Sequence, residues 1–344
     1  MKIVDVKILS ARKWNNYFPL QVVYEWESVI SNELQLPIDD EVMMKMMMQG
    51  NNYFYKNFQK IIRNTYMSDF LDSSFNYLKR NYPGSHFLSF FLYPLPTRNH
   101  YMYSDNIIPI LLDCFSDVID NVPIYFKKSK LLFVTNYEVY ERLMNTSLKG
   151  RLVYLPLSVS DKYFNMAFPT KDIDVLQMGR QNEVLHSWML NITATHPEVE
   201  YVYSKLKDGE LHYYSTQKDW MGPVETRTDF MSFLSRAKIS LLSSPGIDGG
   251  EVRTGGFNPV TPRFFESAVN YCYMAGRYPI TGADFKYCNV AKVCQHYDNF
   301  DQFSDYILTM LKTPFDQVEK YNFFIKQHLT SVRAGVIKQA LLNL

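Results

Sequence analysis

Short apolar runs, each followed by a stretch of helical periodicity, recur from the middle of this chain almost to its end. That alternation restricts the fold more than any other feature. KLLFVT (130–135) leads to EVYERLMNT (138–146) and then to RLVYLP (151–156). A second series runs from IDVLQM (173–178) through the helical EVLHSWMLNITAT, VEYVYS (199–204), TDFMSFLSRA, KISLLS (238–243) and PRFFESAVNYCYMA (262–275) to RYPIT (277–281). Runs this brief and continuously apolar suit strands buried on both faces, hence parallel sheets covered by helices.

The earlier part of the chain reads as a first strand within MKIVDVKILSARKW and not as a signal peptide, because the apolar run is short and carries Asp5 and Lys7. Helical stretches follow at 21–35, 41–48 and 69–82, strands at HFLSFFLY (86–93) and NIIPILLD (106–113), and a helix over FSDVIDNVPIYFKK (115–128). A length of 344 residues exceeds one ordinary core, so two domains are expected. The aperiodic LSVSDKYFNMAFPTKD (157–172) marks the boundary. The expected domains are 1–160, 161–320 and a set of C-terminal helices over 321–344 that return to the first domain.

Charge excludes some functions. A net charge of +1 offers no field for non-specific nucleic-acid binding or for attraction to a membrane surface. No apolar run approaches the roughly 20 residues that span a bilayer. Cys114, Cys272, Cys288 and Cys294 form no CxxC pair, which argues against zinc or thioredoxin-type chemistry and for a reducing compartment. A cytoplasmic protein, with at most peripheral membrane contact, is expected.

Functional residues are expected to cluster at 243–276. The loop SSPGIDGGEVRTGGFNPV (243–260) holds five of the chain's 14 glycines, a concentration suited to unusual backbone angles or close approach to a ligand. Thr261 is a good N-cap and Pro262 suits the first helical position. Phe264, Phe265, Ala268, Val269 and Cys272 would pack on a sheet, with Arg263, Glu266 and Asn270 on the opposite face and Gly276 as the stop. A cation in the first turn opposes the helix dipole. Arg263 therefore makes sense beside a bound anion such as a diphosphate, with Glu266 accepting ribose hydroxyls. A plain Arg263–Glu266 pair on a solvated face stands as the alternative.

TPRFFESAVNYCYMAGRYPIT resembles the nucleotide-sugar-binding half of GT-B glycosyltransferases, the glycosyl transferases group 1 superfamily and its spore-coat-type branch. In that family a helix opens R-x-x-E, and its Glu holds the nucleotide ribose. IDVLQMGRQN is similar to the family's strand ending in Gly-Arg before the donor diphosphate, and KLLFVTNYEVYERL with RLVYLPLSVSDKYF resembles the passage into the second domain. The resemblance spans about residues 107–281. It implies an α/β GT-B fold, two Rossmann-like domains facing a cleft and closing around a nucleoside-diphosphate sugar, with C-terminal helices. The donor residues it implies, together with the loop reading, are Gly179, Arg180, Arg253, Asn258, Thr261, Arg263 and Glu266. Two departures stand out. Asn258 occupies the position where retaining members carry a first glutamate, and QNEVLHSW lacks the usual diphosphate-binding Lys.

The implied activity is glycosyl transfer from the nucleotide sugar to a glycan or lipid-linked acceptor in surface-polysaccharide or glycoconjugate assembly, with no cofactor and no metal. A nucleotide-sugar epimerase and a non-catalytic sugar- or partner-binding module are the alternatives. Asp172 and Asp174 imitate a metal-binding Asp-x-Asp pair but sit at a strand entry. His86, His100, His186 and Asp113 are candidates for the base that would deprotonate an acceptor hydroxyl, and none is singled out. Glu251 is a further candidate for ligand contact. EVMMKMMMQG (41–50) is read as a core helix of the first domain, with contact to a lipid-linked acceptor or a membrane face as the alternative, and the aromatic RNHYMYSDN (98–106) could stack on sugars, although Tyr is abundant throughout the chain.

Overall fold

The computed structural model describes residues 5–13, 15–43, 78, 81–94, 102, 104–164, 167–207 and 210–344. Most of the expected helices over 41–48 and 69–82, most of the segment 98–106, and His100 lie outside them. The chain divides into two compact units, one of residues 1–156 with 331–344 and one of residues 157–330.

The first unit begins with β1 (Val6–Leu9), α1 (Phe18–Leu34) and β2 (Ile38–Asp39), then β3 (His86–Leu92) and β4 (Ile107–Leu112). Two single-turn helices follow, α2 (Ser116–Ile119) and α3 (Val122–Tyr125), where one helix was expected over 115–128. Pro123 explains the break, since it has no N–H to bond the Ile119 carbonyl four residues back and its ring clashes there, while it suits a first helical turn. β5 (Leu132–Val134), α4 (Tyr137–Leu143) and β6 (Leu152–Tyr154) complete a six-stranded parallel sheet in the order β2-β1-β3-β4-β5-β6. β4, IIPILL, is buried at every position, as a strand covered on both faces must be.

The second unit contains β7 (Ile173–Gln177), α5 (Glu183–Thr195), β8 (Tyr201–Lys207), β9 (Glu210–Ser215), β10 (Asp219–Pro223), α6 (Arg227–Arg236) and β11 (Ala237–Ser243). It continues with α7 (Pro262–Val269), β12 (Tyr273–Arg277), α8 (Ala283–Tyr287), β13 (Cys294–His296), α9 (Phe300–Lys312) and α10 (Val318–Lys326). The final helix, α11 (Thr330–Leu342), lies almost wholly in the first unit, where Arg333 Nε donates to the Pro156 carbonyl at 2.8 Å. The C-terminal helices thus divide, α10 staying with the second unit.

The second sheet runs β10-β9-β8-β7-β11-β12-β13, parallel except for the antiparallel β8-β9-β10 meander. From β7 the chain moves outward to β8 and then returns to β11 on the other side, so the switch in strand order lies between β7 and β11. Loops leaving the carboxyl ends of strands that flank such a switch diverge and leave a crevice.

α7 ends sooner than the sequence suggests. Tyr271 adopts a left-handed φ of 52° and breaks the helix, and YMAGR, not RYPIT, forms the next strand. Gly276 is therefore a strand residue and not a helix stop. A Cβ there would lie 2.7 Å from the Leu242 carbonyl of β11.

Candidate donor site at the β7–β11 switch

β7 ends at Gln177, and the chain turns through Met178, Gly179 and Arg180 toward α5. Gly179 has a left-handed φ of 75°, and an added Cβ would lie 2.8 Å from Nη1 of Arg263. Arg263 reaches there from the first turn of α7, and its Nη1 donates to the Met178 carbonyl at 2.8 Å. The Gly179 N–H donates to the Tyr213 hydroxyl of β9 at 3.1 Å, and Ser204 Oγ of β8 donates to the Gly179 carbonyl. Three elements thus fix two consecutive peptides. Desolvation pulls the Arg263 pKa down from its ordinary value, while Glu266, Tyr213 and Glu251 act against that and Arg180 adds to it. Gly179→Ala should cost about 1–2 kcal/mol of backbone strain and push the Arg263 guanidinium aside. A thermal melt and a nucleotide titration check it, with a lowered midpoint and weakened diphosphate binding expected together.

The glycine-rich loop is pinned near both ends. Asp248 takes a bidentate pair of hydrogen bonds from Arg277, at 2.6 and 2.7 Å, and a third from Asn182 Nδ2 at 2.8 Å. These donors, Arg277 first, hold its carboxyl below the usual carboxylate range. Asn182 Oδ1 meanwhile caps α5 by accepting from the Leu185 N–H at 3.0 Å, so one side chain ties the loop to the helix that follows Gly179. Farther along, Ser244 Oγ donates to Asn258 Oδ1 at 2.8 Å and Asn258 Nδ2 donates to the Gly256 carbonyl at 2.6 Å. Between these anchors Glu251 lies against two arginines, 2.5 Å from Arg180 Nη1 and 2.6 Å from Arg253 Nε.

Thr261 precedes α7 in an extended conformation with Pro262 in the first turn, but its side chain makes no capping bond. Its Oγ1 is buried without a hydrogen-bond partner. The expected solvated face of this helix does not exist. Every residue from Phe264 to Val269 is buried, because Phe265 stacks on Phe324 and His328 on one side while α6 covers another. Glu266 is only 2% exposed, and its Oε1 accepts from Nη2 of Arg227 in α6 at 2.7 Å. The Arg227 guanidinium also lies over the rings of Phe230 and Tyr163, at 5.1 and 5.9 Å. Ser267 meets Ser240 of β11 at 2.8 Å, and Asn270 Nδ2 donates back to the Glu266 carbonyl. The charges on this helix are thus accommodated inside the unit. Arg263 turns to Met178 and Glu266 to Arg227, where an Arg263–Glu266 pair or an open carboxylate was expected.

The two aspartates at the entry of β7 have structural partners. Asp172 takes a bidentate pair from Arg236 at 2.8 Å each, which lowers its pKa, and Asp174 Oδ2 accepts the Glu200 N–H at 3.0 Å. Among the described residues no cluster of three or more His, Cys, Asp or Glu side chains could hold a metal ion. His186 Nδ1 lies 3.1 Å from the Tyr201 hydroxyl and its ring packs 4.8 Å from that of Tyr203, and burial lowers its pKa. Burial likewise lowers the pKa of His86, in β3 of the first unit, and Asp113 follows β4 there with φ 42°. Among the described residues no helix is long and apolar enough to cross a membrane.

The structure brings Gly179, Arg180, Arg253, Thr261 and Arg263 to the same switch point, with Asn258 in the wall of its loop and Glu266 beneath it. Sequence reasoning missed Asn182, Ser204, Tyr213, Arg227, Asp248 and Arg277. For Tyr213 a signal existed. Asp208-Gly209 between two alternating runs is a hairpin signature, and it would have placed β9 beside β8. The partnership of Arg227 with Glu266 had no local signal.

Neither a protein-family model nor a curated protein sequence matches the chain. Several solved structures are similar. A glycosyltransferase from Rickettsia africae matches at 10% identity over 98% of this chain and 99% of its own, with a TM-score of 0.49. The sucrose-phosphate synthase of Thermosynechococcus elongatus matches at 10% identity over 79% and 77%, with a TM-score of 0.47. The pneumococcal O-GlcNAc transferase GtfA, solved with UDP and GlcNAc, matches at 10% identity over 75% of this chain and 56% of its own, with a TM-score of 0.46. The chain spans little more than half the length of that protein, and likewise of the matched chains of a GtfA/B complex and of accessory secretory protein 1,2 and 3 in Streptococcus pneumoniae.

Proposed function

We propose that this protein is a glycosyltransferase of GT-B type whose second unit holds a nucleoside-diphosphate sugar. The observation that supports this reading is the meeting of three features at one switch point. They are the Gly179 turn, a glycine-rich loop anchored at both ends, and the start of α7 with Arg263 and the unpartnered Thr261 hydroxyl. Backbone N–H groups at a helix start, with guanidinium groups around them, suit a diphosphate. Arg180, Arg253 and Arg263 would bind that group and stabilise the charge it gains on leaving. Glu266 would take the ribose only by exchanging its bond to Arg227 for the sugar hydroxyls. In the reaction the anomeric C–O bond to the diphosphate breaks and an acceptor oxygen bonds to the anomeric carbon, its proton passing to a base. A glycan or lipid-linked acceptor would belong to the first unit. No cofactor enters this scheme, and a cytoplasmic role in glycoconjugate assembly fits it.

Calorimetric titration with UDP, GDP, dTDP, ADP and CMP tests the donor site. Selective binding of one diphosphate is expected, weakened in Glu266→Ala, and no binding by any of them would remove the reading. Transfer measured with and without EDTA is expected to be equal. Loss of activity restored by manganese would overturn the metal-free scheme. A binding module without catalysis is the second reading, favoured by Asn258, whose amide is engaged within the loop where retaining enzymes carry a carboxylate. Binding without turnover of the donor would select it, and donor turnover without an acceptor would mark an epimerase.

A further inference from the structure

Glu251 is surrounded by cations in an unusual way. Its carboxylate is 2.5 Å from Arg180 of the β7–α5 turn and 2.6 Å from Arg253 of its own loop, and it acts electrostatically on Arg263 at the start of α7. These are the same three arginines that the donor reading assigns to a diphosphate. The carboxylate is mostly buried, its side chain 19% exposed, whereas the arginine side chains that hold it are 62% and 41% exposed. Its backbone is fixed independently of the ion pairs. The Glu251 N–H donates to the Pro245 carbonyl at 2.8 Å, and the Glu251 carbonyl accepts the Thr254 N–H at 2.9 Å. At Gly250, just before it, a Cβ would lie 2.4 Å from that same Pro245 carbonyl, so the loop closes tightly on itself at this point. The side chain can therefore swing while the loop stays in place, with Asp248 and Asn258 as outer anchors.

We propose that Glu251 is an internal anion that occupies the diphosphate position of this site and must be displaced from Arg180 and Arg253 when a phosphate ligand binds. The inference rests on the donor reading and adds a regulatory element to it. A carboxylate carries one negative charge, a nucleoside monophosphate about two at neutral pH and a diphosphate more, so the diphosphate displaces Glu251 more readily than the monophosphate does. The contact thus raises selectivity for diphosphates at a cost in absolute affinity. It also keeps like-charged guanidinium groups together when no ligand is bound.

The test compares wild type, Glu251→Gln and Glu251→Ala by titration with inorganic pyrophosphate and with UDP, after a thermal melt establishes that each variant is folded. Both variants should bind pyrophosphate roughly three- to tenfold more tightly, the worth of one or two half-exposed ion pairs. UMP should gain more than UDP, narrowing the difference between them. Arg180→Ala combined with Glu251→Gln should lose the gain. If wild type binds UDP but the variants bind it equally or more weakly, Glu251 is a strut or a ligand contact, and the displacement idea falls while the donor site stands. If no form binds any phosphate ligand, the donor reading falls and this inference with it.

Discussion

Arg227→Met should lower the thermal midpoint by about 10 °C. Its guanidinium is the buried partner of Glu266, with the two side chains 7% and 2% exposed and their atoms 2.7 Å apart. Removing one member of a buried pair strands the other charge in a low-dielectric interior, at a cost of about 3–5 kcal/mol. For a unit of this size each kcal/mol moves the midpoint by roughly 2–4 °C. The matched change of both residues, Arg227→Met with Glu266→Met, should recover most of the loss, since similar apolar volume then fills the site. A single variant that melts within about 2 °C of wild type would mean that water reaches the pair. The experiment also bears on ligand binding. Glu266→Ala alone confounds a lost ribose contact with a stranded Arg227, whereas the doubly substituted protein, once shown to be folded, separates them.

How much of this could be read from the sequence follows from which interactions are local. β7, α5, β11 and the start of α7 were legible because apolar periodicity and Pro262 are written within a few residues. The end of α7 was not. An apolar run through Tyr271, Cys272 and Tyr273 satisfies a buried helix and a buried strand equally, and the outcome turned on a left-handed backbone at Tyr271. The site divides along the same line. The Gly179 turn and Arg263 carry short-range signatures, a strand ending in Gly-Arg and a cation out of place in a first turn. The environment of Glu266 is instead set by Arg227, 39 positions away, and no spacing rule reports such a contact. The contrast that made Arg263 and Glu266 look like a polar face was real in the sequence. Tertiary packing by α6 and α10 then enclosed that face.

Arg263→Ala should weaken nucleoside-diphosphate binding about 10- to 100-fold while leaving a bare nucleoside within about twofold. The range is that of one charge-assisted hydrogen bond, about 1.5–3 kcal/mol. The position argues for it. In the first turn of α7 the cation faces the positive end of the helix dipole, a cost of a few tenths of a kcal/mol to about 1 that an isolated helix would avoid. Part of that cost is offset by the 2.8 Å bond from Nη1 to the Met178 carbonyl, which also aligns the guanidinium over Gly179. A planar fork can keep that bond on one nitrogen and present others to a phosphate, which an ammonium cannot do in the same geometry. Arg263→Lys should therefore restore only part of the lost affinity, although it restores the whole charge. Equal losses for diphosphate and nucleoside would mean that Arg263 supports the Gly179 turn and meets no phosphate, and a Lys variant as good as wild type would mean that only its charge matters.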